Sequence, residues 1–217
     1  MNTSQSRKNL GFPEKEEWQK EPAHFTDESL FIAGHHVMDR WETKYMEKLS
    51  HIATQNGGHV LELGFGMGIS AELIQKTKRA KTHTIIECHP EVAARCKEKY
   101  AQEIKDGKII LVEGFWEDVI DDLKDASYDG ILFDTYPLTE EQVHKNHFWF
   151  FKDAYRLLKK GGVLTYYSDE EKNYSDEHLV KLHEAGFNHI GQHICKMYPP
   201  KNMYWNEKSM IAPEIIK

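Results

Sequence analysis

The sequence predicts an α/β fold, a mostly parallel sheet with helices on both faces, on two observations. Short apolar runs alternate with helix-like stretches through most of the chain, and the first strong run ends in Gly64-Phe65-Gly66-Met67-Gly68, leading into a helical pattern. Such alternation builds parallel strands with crossover helices. Glycines at alternate positions leave bare backbone beside unpaired helix-terminal N–H groups, where a ligand can lie close. The 217 residues suffice for one sizeable domain. We divide them into a flexible N-terminal arm or lid, 1–22, and one domain, 23–217.

In chain order, the arm is polar apart from Phe12 and Trp18, with Trp18 the residue able to dock on the domain. Over 36–55, Val37, Met38, Trp41, Tyr45, Met46, Leu49 and Ile52 recur at helical spacing and stop at Asn56-Gly57-Gly58, which predicts an amphipathic helix. Strands are predicted at 59–63, 84–87, 108–112, 130–133 and 163–167. A capping-box spacing, Thr139 to Gln142, opens a further predicted helix that closes at Gly161-Gly162. Two last β-like runs, 190–197 and 210–216, read as an antiparallel pair at one sheet edge.

Composition narrows the partners. A formal charge of −7 argues against nucleic acid, whose phosphates attract basic surfaces. Cys88, Cys96 and Cys195 make neither an even disulfide set nor zinc spacing, so no metal and a reducing cytoplasm are expected. No stretch of about 18 apolar residues predicts a membrane segment. A small molecule is the expected partner, bound by a monomer or homodimer.

The acids carry the chemistry. The glycine pattern is GxGxG, with Ile69 where a dinucleotide fold has its third glycine. Glu62, just before the first glycine, disfavours a pyrophosphate and suits a cation such as S-adenosylmethionine. Glu87 ends the second strand 23 positions after Gly64, near the roughly 20 of an acid that accepts ribose hydroxyls. Asp134 ends the fourth strand, either as a helix cap or as a partner for a cation. Glu42 interrupts the apolar stripe between Met38 and Met46, so it sits at the stripe's exposed edge or is neutralised by a cation. Two carboxylates amid aromatics suit a planar guanidinium, which presents a fixed fork of donors and stacks on rings.

Arg40-Trp41-Glu42-Thr43, Glu62-Leu63-Gly64-Phe65-Gly66-Met67, Ile86-Glu87-Cys88, Trp116-Glu117-Asp118, Asp129-Gly130-Ile131-Leu132 with Asp134-Thr135-Tyr136-Pro137, and Gly161-Gly162-Val163-Leu164-Thr165-Tyr166 together resemble the guanidinoacetate N-methyltransferase family. The resemblance runs from about Trp18 to the C-terminus. It implies a Rossmann-like class I methyltransferase with a seven-stranded, mostly parallel sheet, which uses S-adenosylmethionine to convert guanidinoacetate to creatine. It implies cofactor contacts from the glycine turn and Met67, Gly68, Ile69, Ser70 and Ala71, from Glu87, Cys88 and His89, and from Trp116 and Glu117 at the adenine. Met38 and Met46 would line the pocket, with Trp18 as a lid. Glu42 and Asp134 would hold the guanidino group, Asp134 as base, with Tyr136, Ser168 and Asp169 beside the substrate.

The resemblance thins after the fifth strand, where the family holds the substrate carboxylate on loop N–H groups. Here the loop is shorter and reads Ser168-Asp169-Glu170-Glu171. Arginine or another small guanidine is therefore the alternative substrate. A module that binds cofactor without catalysis is the alternative of a different class. His51, His144 and His147 read as surface or helix-packing residues.

Overall fold

The computed structural model describes residues 11–201 and 203–217; the first ten residues of the predicted arm lie outside them. The main sheet has seven strands in the order β6-β5-β4-β7-β8-β10-β9. They are β4 (Gly58–Leu63), β5 (Ala80–Glu87), β6 (Ile109–Glu113), β7 (Tyr128–Phe133), β8 (Leu158–Tyr166), β9 (His189–Lys196) and β10 (Ser209–Ile216). Neighbours from β6 to β8 pair in parallel, while β10 runs antiparallel to both β8 and β9. Alternate side chains pack to opposite faces, as strand geometry requires. Val60, Ile85, Leu132 and Val163 join one core cluster, and Leu61, Leu63, Ile86, Ile131, Phe133 and Leu164 the other. Among the described residues no helix is long and apolar enough to cross a membrane, and the three cysteines are free.

The region before the sheet departs from the expected single helix over 36–55. A three-stranded antiparallel sheet, β1 (Ala23–Phe25), β2 (Ser29–Ile32) and β3 (His35–Asp39), comes first. Val37 and Met38 therefore lie on a strand. The β2–β3 hairpin turns on Ala33-Gly34, both at positive φ as a two-residue hairpin turn demands. Alanine there gives no turn signal. A 3-10 turn, Arg40–Glu42, then leads into α2 (Thr43–Ala53), preceded in the chain by the arm helix α1 (Lys15–Lys20).

Two further expectations shift. The Thr139–Gln142 capping contacts form, with Gln142 N–H donating to Thr139 Oγ1 at 3.3 Å and Leu138 N–H to Gln142 Oε1 at 2.9 Å. No helix follows until Asn146–Leu157, because the apolar side that packs on the sheet, Phe150, Phe151, Ala154 and Leu157, begins only there. Gly161-Gly162 lies inside β8 and does not cap a helix.

Helix α2 lies across β7 so closely that a Cβ on Gly130 would stand 1.8 Å from the Ala53 carbonyl oxygen. Both atoms belong to backbone, so neither can swing aside. We expect Gly130→Ala to cost at least about 2 kcal/mol and to lower Tm by roughly 5 °C or more in thermal denaturation; an unchanged Tm contradicts this packing.

Candidate active site

The cavity opens where the chain leaves the carboxyl ends of β4, β5, β7 and β8, the rim along which open α/β sheets take ligands. The void in and in front of it spans about 1320 Å³, open solvent included. Gly64 and Gly66 form its floor, at φ +88° and +52°. A Cβ on Gly64 would lie 2.1 Å from the Asp134 carbonyl oxygen, and one on Gly66 2.9 Å from Met38 Sδ. Glycine thus lets β4, β7 and β3 converge on one point.

Glu87, at the end of β5, holds that floor in place. Its Oε2 accepts N–H bonds from Phe65 at 2.8 Å and Gly66 at 3.4 Å, and its Oε1 accepts that of His89 at 2.8 Å. Burial raises its pKa, and these three bonds pull it back down. A carboxylate has about four acceptor positions, so one remains for a ligand hydroxyl.

The arm closes one side. Trp18 is buried, lines the cavity and stacks on Tyr136, with centroids 5.1 Å apart. Gln19 Nε2 donates to the Cys88 carbonyl at 2.8 Å, and His89 Nε2 lies 2.8 Å from the Glu21 carbonyl. Cys88, His89, Trp116 and Glu117 all line the cavity, and the Trp116 ring meets Phe133 and Phe150 edge-on.

Glu42 and Asp134 face this same cavity. Glu42 is 3% exposed and ends the 3-10 turn, where its Oε2 accepts the Asp39 N–H at 3.2 Å. Asp39-x-x-Glu42 is itself a helix-start spacing. Burial pushes the Glu42 carboxyl up to about 7, against the opposing pull of the Tyr204 and Tyr167 hydroxyls beside it. Asp134 is held by its backbone, whose N–H donates to the Leu63 carbonyl at 3.0 Å. Among the described residues its carboxyl receives no hydrogen bond. Desolvation raises its pKa well above the usual range, and the charges of Glu42, Glu62 and Asp169 add to the rise. A cation between the two acids would oppose the rise by favouring their charged forms.

Several expected site residues are not brought to the cavity. Glu62 is fully buried on the β4 face that meets α3 (Ile69–Thr77), bonded to Ser70 Oγ and 2.8 Å from His83 Nε2. It anchors the helix that follows the glycine turn. Phe65, Gly68, Ile69, Ser70 and Ala71 are buried beneath that turn, and the Met67 N–H lies 3.3 Å from Met38 Sδ. Met38 lines the cavity, whereas Met46, on α2, packs in the core. Ser168 is buried, its hydroxyl donating to the Ile211 carbonyl at 2.7 Å. Tyr136 and Asp169 line the cavity, as do Tyr167, Tyr204 and His144, which the sequence reading did not place there.

Residues 9–217 match the sequence model of the guanidinoacetate N-methyltransferase family. The chain belongs to this family. Protein arginine N-methyltransferase 2 of Saccharomyces cerevisiae is 35% identical over 144 residues, 61% of this chain and 32% of that protein. The protein of the same name from Aspergillus fumigatus is 31% identical over 174 residues, 75% and 40% of the two chains. The family member described here thus spans about a third to two fifths of these curated relatives. By structure it resembles spermidine synthase from Thermotoga maritima, with TM-score 0.62 and 18% identity over 90% of this chain and 71% of that one. It also resembles M. jannaschii TYW2 in complex with AdoMet, with TM-score 0.61 and 16% identity over 91% and 85%. At these identities the likeness is one of fold, the Rossmann-like methyltransferase fold.

The cofactor of this guanidinoacetate N-methyltransferase family member is S-adenosylmethionine, and the cavity suits it. Five carboxylates line it (Glu42, Glu87, Glu117, Asp134 and Asp169), and no Lys or Arg is among the described lining residues. That lining favours a sulfonium over a pyrophosphate. The glycine floor and Glu87 would hold the nucleoside.

A pH dependence of stability follows. In the ligand-free protein Glu42 keeps a proton that the unfolded chain releases near pH 4.5, so stability falls as pH rises from about 4.5 to about 7. We expect Glu42→Gln to stabilise the ligand-free protein by up to about 3 kcal/mol at pH 8, with the gain vanishing below pH 4.5. Thermal melts across this range check the sign; a variant less stable at pH 8 contradicts it.

Proposed function

We propose that the protein transfers the methyl group of S-adenosylmethionine to a nitrogen of a small guanidine. The observation that carries this reading is the pair Glu42 and Asp134, two desolvated carboxyls of raised pKa facing one cavity beside the glycine floor. The family's name gives guanidinoacetate as acceptor, and the curated relatives are named for arginine. A guanidino group is common to both.

When bound, the cofactor supplies an electrophilic methyl group on a positively charged sulfur. The chain's own residues do the rest. Guanidinium has a pKa of roughly 12.5–13.8, so its neutral form at pH 7 is disfavoured by roughly 7–9 kcal/mol. The substrate therefore enters as a cation, and Glu42 and Asp134 surrender their proton to water as it arrives. Their charge also offsets the repulsion between two cations, about 4 kcal/mol at 4 Å with an effective ε of 20. As the new C–N bond forms, the attacking nitrogen becomes acidic. Asp134, with no hydrogen bond to its carboxyl among the described residues, accepts that proton. Glu42, fixed by the Asp39 N–H, holds the fork in orientation. A non-catalytic cofactor-binding module would gain nothing from keeping two acids desolvated here.

Methyl transfer from labelled S-adenosylmethionine to a panel of guanidines tests the reading. We expect Asp134→Asn to lower kcat by about 10²–10⁴ while cofactor affinity stays within about threefold. Glu42→Gln should chiefly raise the guanidine KM. Near-normal turnover in the Asn variant removes Asp134 from the mechanism.

A further inference from the structure

The loop after β8 holds four polar residues in a row, and the structure sorts them. Ser168 is spent on its surroundings: its hydroxyl donates to the Ile211 carbonyl, its N–H to Tyr45 Oη at 3.3 Å, and it accepts the Glu170 N–H at 3.2 Å. Glu170 faces the protein, its Oε1 accepting the Ser175 N–H at 3.0 Å and lying 3.4 Å from His178 Nδ1. Its carbonyl accepts the Ile211 N–H at 2.8 Å. Glu171 turns to Lys172 at 2.8 Å and Ser209 at 3.3 Å. Asp169 alone of the four lines the cavity.

That orientation is held against backbone preference. Asp169 has φ +53°, and the residue that meets it across the cavity mouth, His144, has φ +63°. Among the described residues only five non-glycine positions adopt positive φ, and two of them converge here, with His144 Nδ1 3.1 Å from Asp169 Oδ1. Strain of this kind persists where surrounding structure over-determines it, commonly at ligand sites. Clamped on both sides by Ser168 and Glu170, Asp169 presents Oδ2 without a partner among the described residues. It is close enough to Asp134 and Tyr167 to raise the pKa of each.

We infer that Asp169, steadied by His144, selects a guanidine whose far end carries a second positive charge, such as an aminoalkylguanidine, and rejects one ending in a carboxylate. The inference rests on the guanidino reading above. The guanidinium lies between Glu42 and Asp134, and the tail points to Asp169. A carboxylate tail would meet Asp169 head-on with no Lys or Arg among the described lining residues to receive it. The Ser168 N–H and hydroxyl are already committed. An ammonium tail gains a charge-assisted hydrogen bond instead.

A near-isosteric series tests this: 2-aminoethylguanidine, guanidinoacetamide and guanidinoacetate, with cationic, neutral and anionic tails. Binding is measured by calorimetry on the full chain loaded with S-adenosylhomocysteine, and kcat/KM by labelled methyl transfer. We expect affinity and kcat/KM to fall from cationic to anionic tail by roughly tenfold or more. In Asp169→Asn, which tolerates positive φ, the ratio between the ends should shrink to under about threefold. Guanidinoacetate equal to or better than the amine, or an unchanged ratio in the variant, overturns the inference and leaves guanidino methylation standing. If none of the three binds or accepts a methyl group while cofactor binds, the guanidino reading falls and this inference with it.

Discussion

Two carboxyls, Glu42 and Asp134, share one cavity, and much of the surrounding structure serves to keep them there. Desolvation drives each toward its neutral form, and the charge of Glu42 compounds the effect at Asp134. The fold answers asymmetrically. Glu42 has the Asp39 N–H as a hydrogen-bond partner and two tyrosine side chains that lower its pKa beside it, whereas the Asp134 carboxyl has no hydrogen bond among the described residues. In the proposed reaction one acid is a clamp and the other exchanges a proton, a division of labour that follows from surroundings and not from residue type.

The sheet rim turns this pair into a site. β4 delivers the glycine floor, β5 delivers Glu87, and β7 delivers Asp134, whose N–H is tied to the Leu63 carbonyl at 3.0 Å. Below the floor, Glu62 with Ser70 and His83 fixes the helix that follows it. Glu42 comes from the other direction, carried by the short sheet and the 3-10 turn that precede α2. The two acids therefore meet only if the N-terminal sheet docks on the main one, which Met38 against Gly66 and Trp18 against Tyr136 help to secure.

The first five main strands were legible as short apolar runs and β9 and β10 as β-like runs that pair antiparallel, and Glu87 and Asp134 were legible as the acids ending two of the apolar runs. The segment before α2 was not. Val37 and Met38 fit a helical stripe in sequence, and the hairpin that claims them turns on Ala33-Gly34, which lacks the usual Asn-Gly or Asp-Gly signal. The true helix start was available in Asp39-x-x-Glu42. The Thr139 box misled because a cap without an apolar face cannot hold a helix on a sheet. Tyr204 and His144 reach the cavity through irregular segments far along the chain, so no local period could reveal them. Glu62 was read for its charge, but its strand parity sends it toward α3 and away from the cavity.

The central claim, that the acids hold a proton until a guanidinium displaces it, is tested most directly by counting protons. Calorimetric titration of the S-adenosylhomocysteine-loaded protein with its best guanidine acceptor, at pH 7 in two buffers of different ionisation enthalpy, gives that number. Release of at least about one proton per guanidinium bound is predicted. No release, or net uptake, would contradict the account.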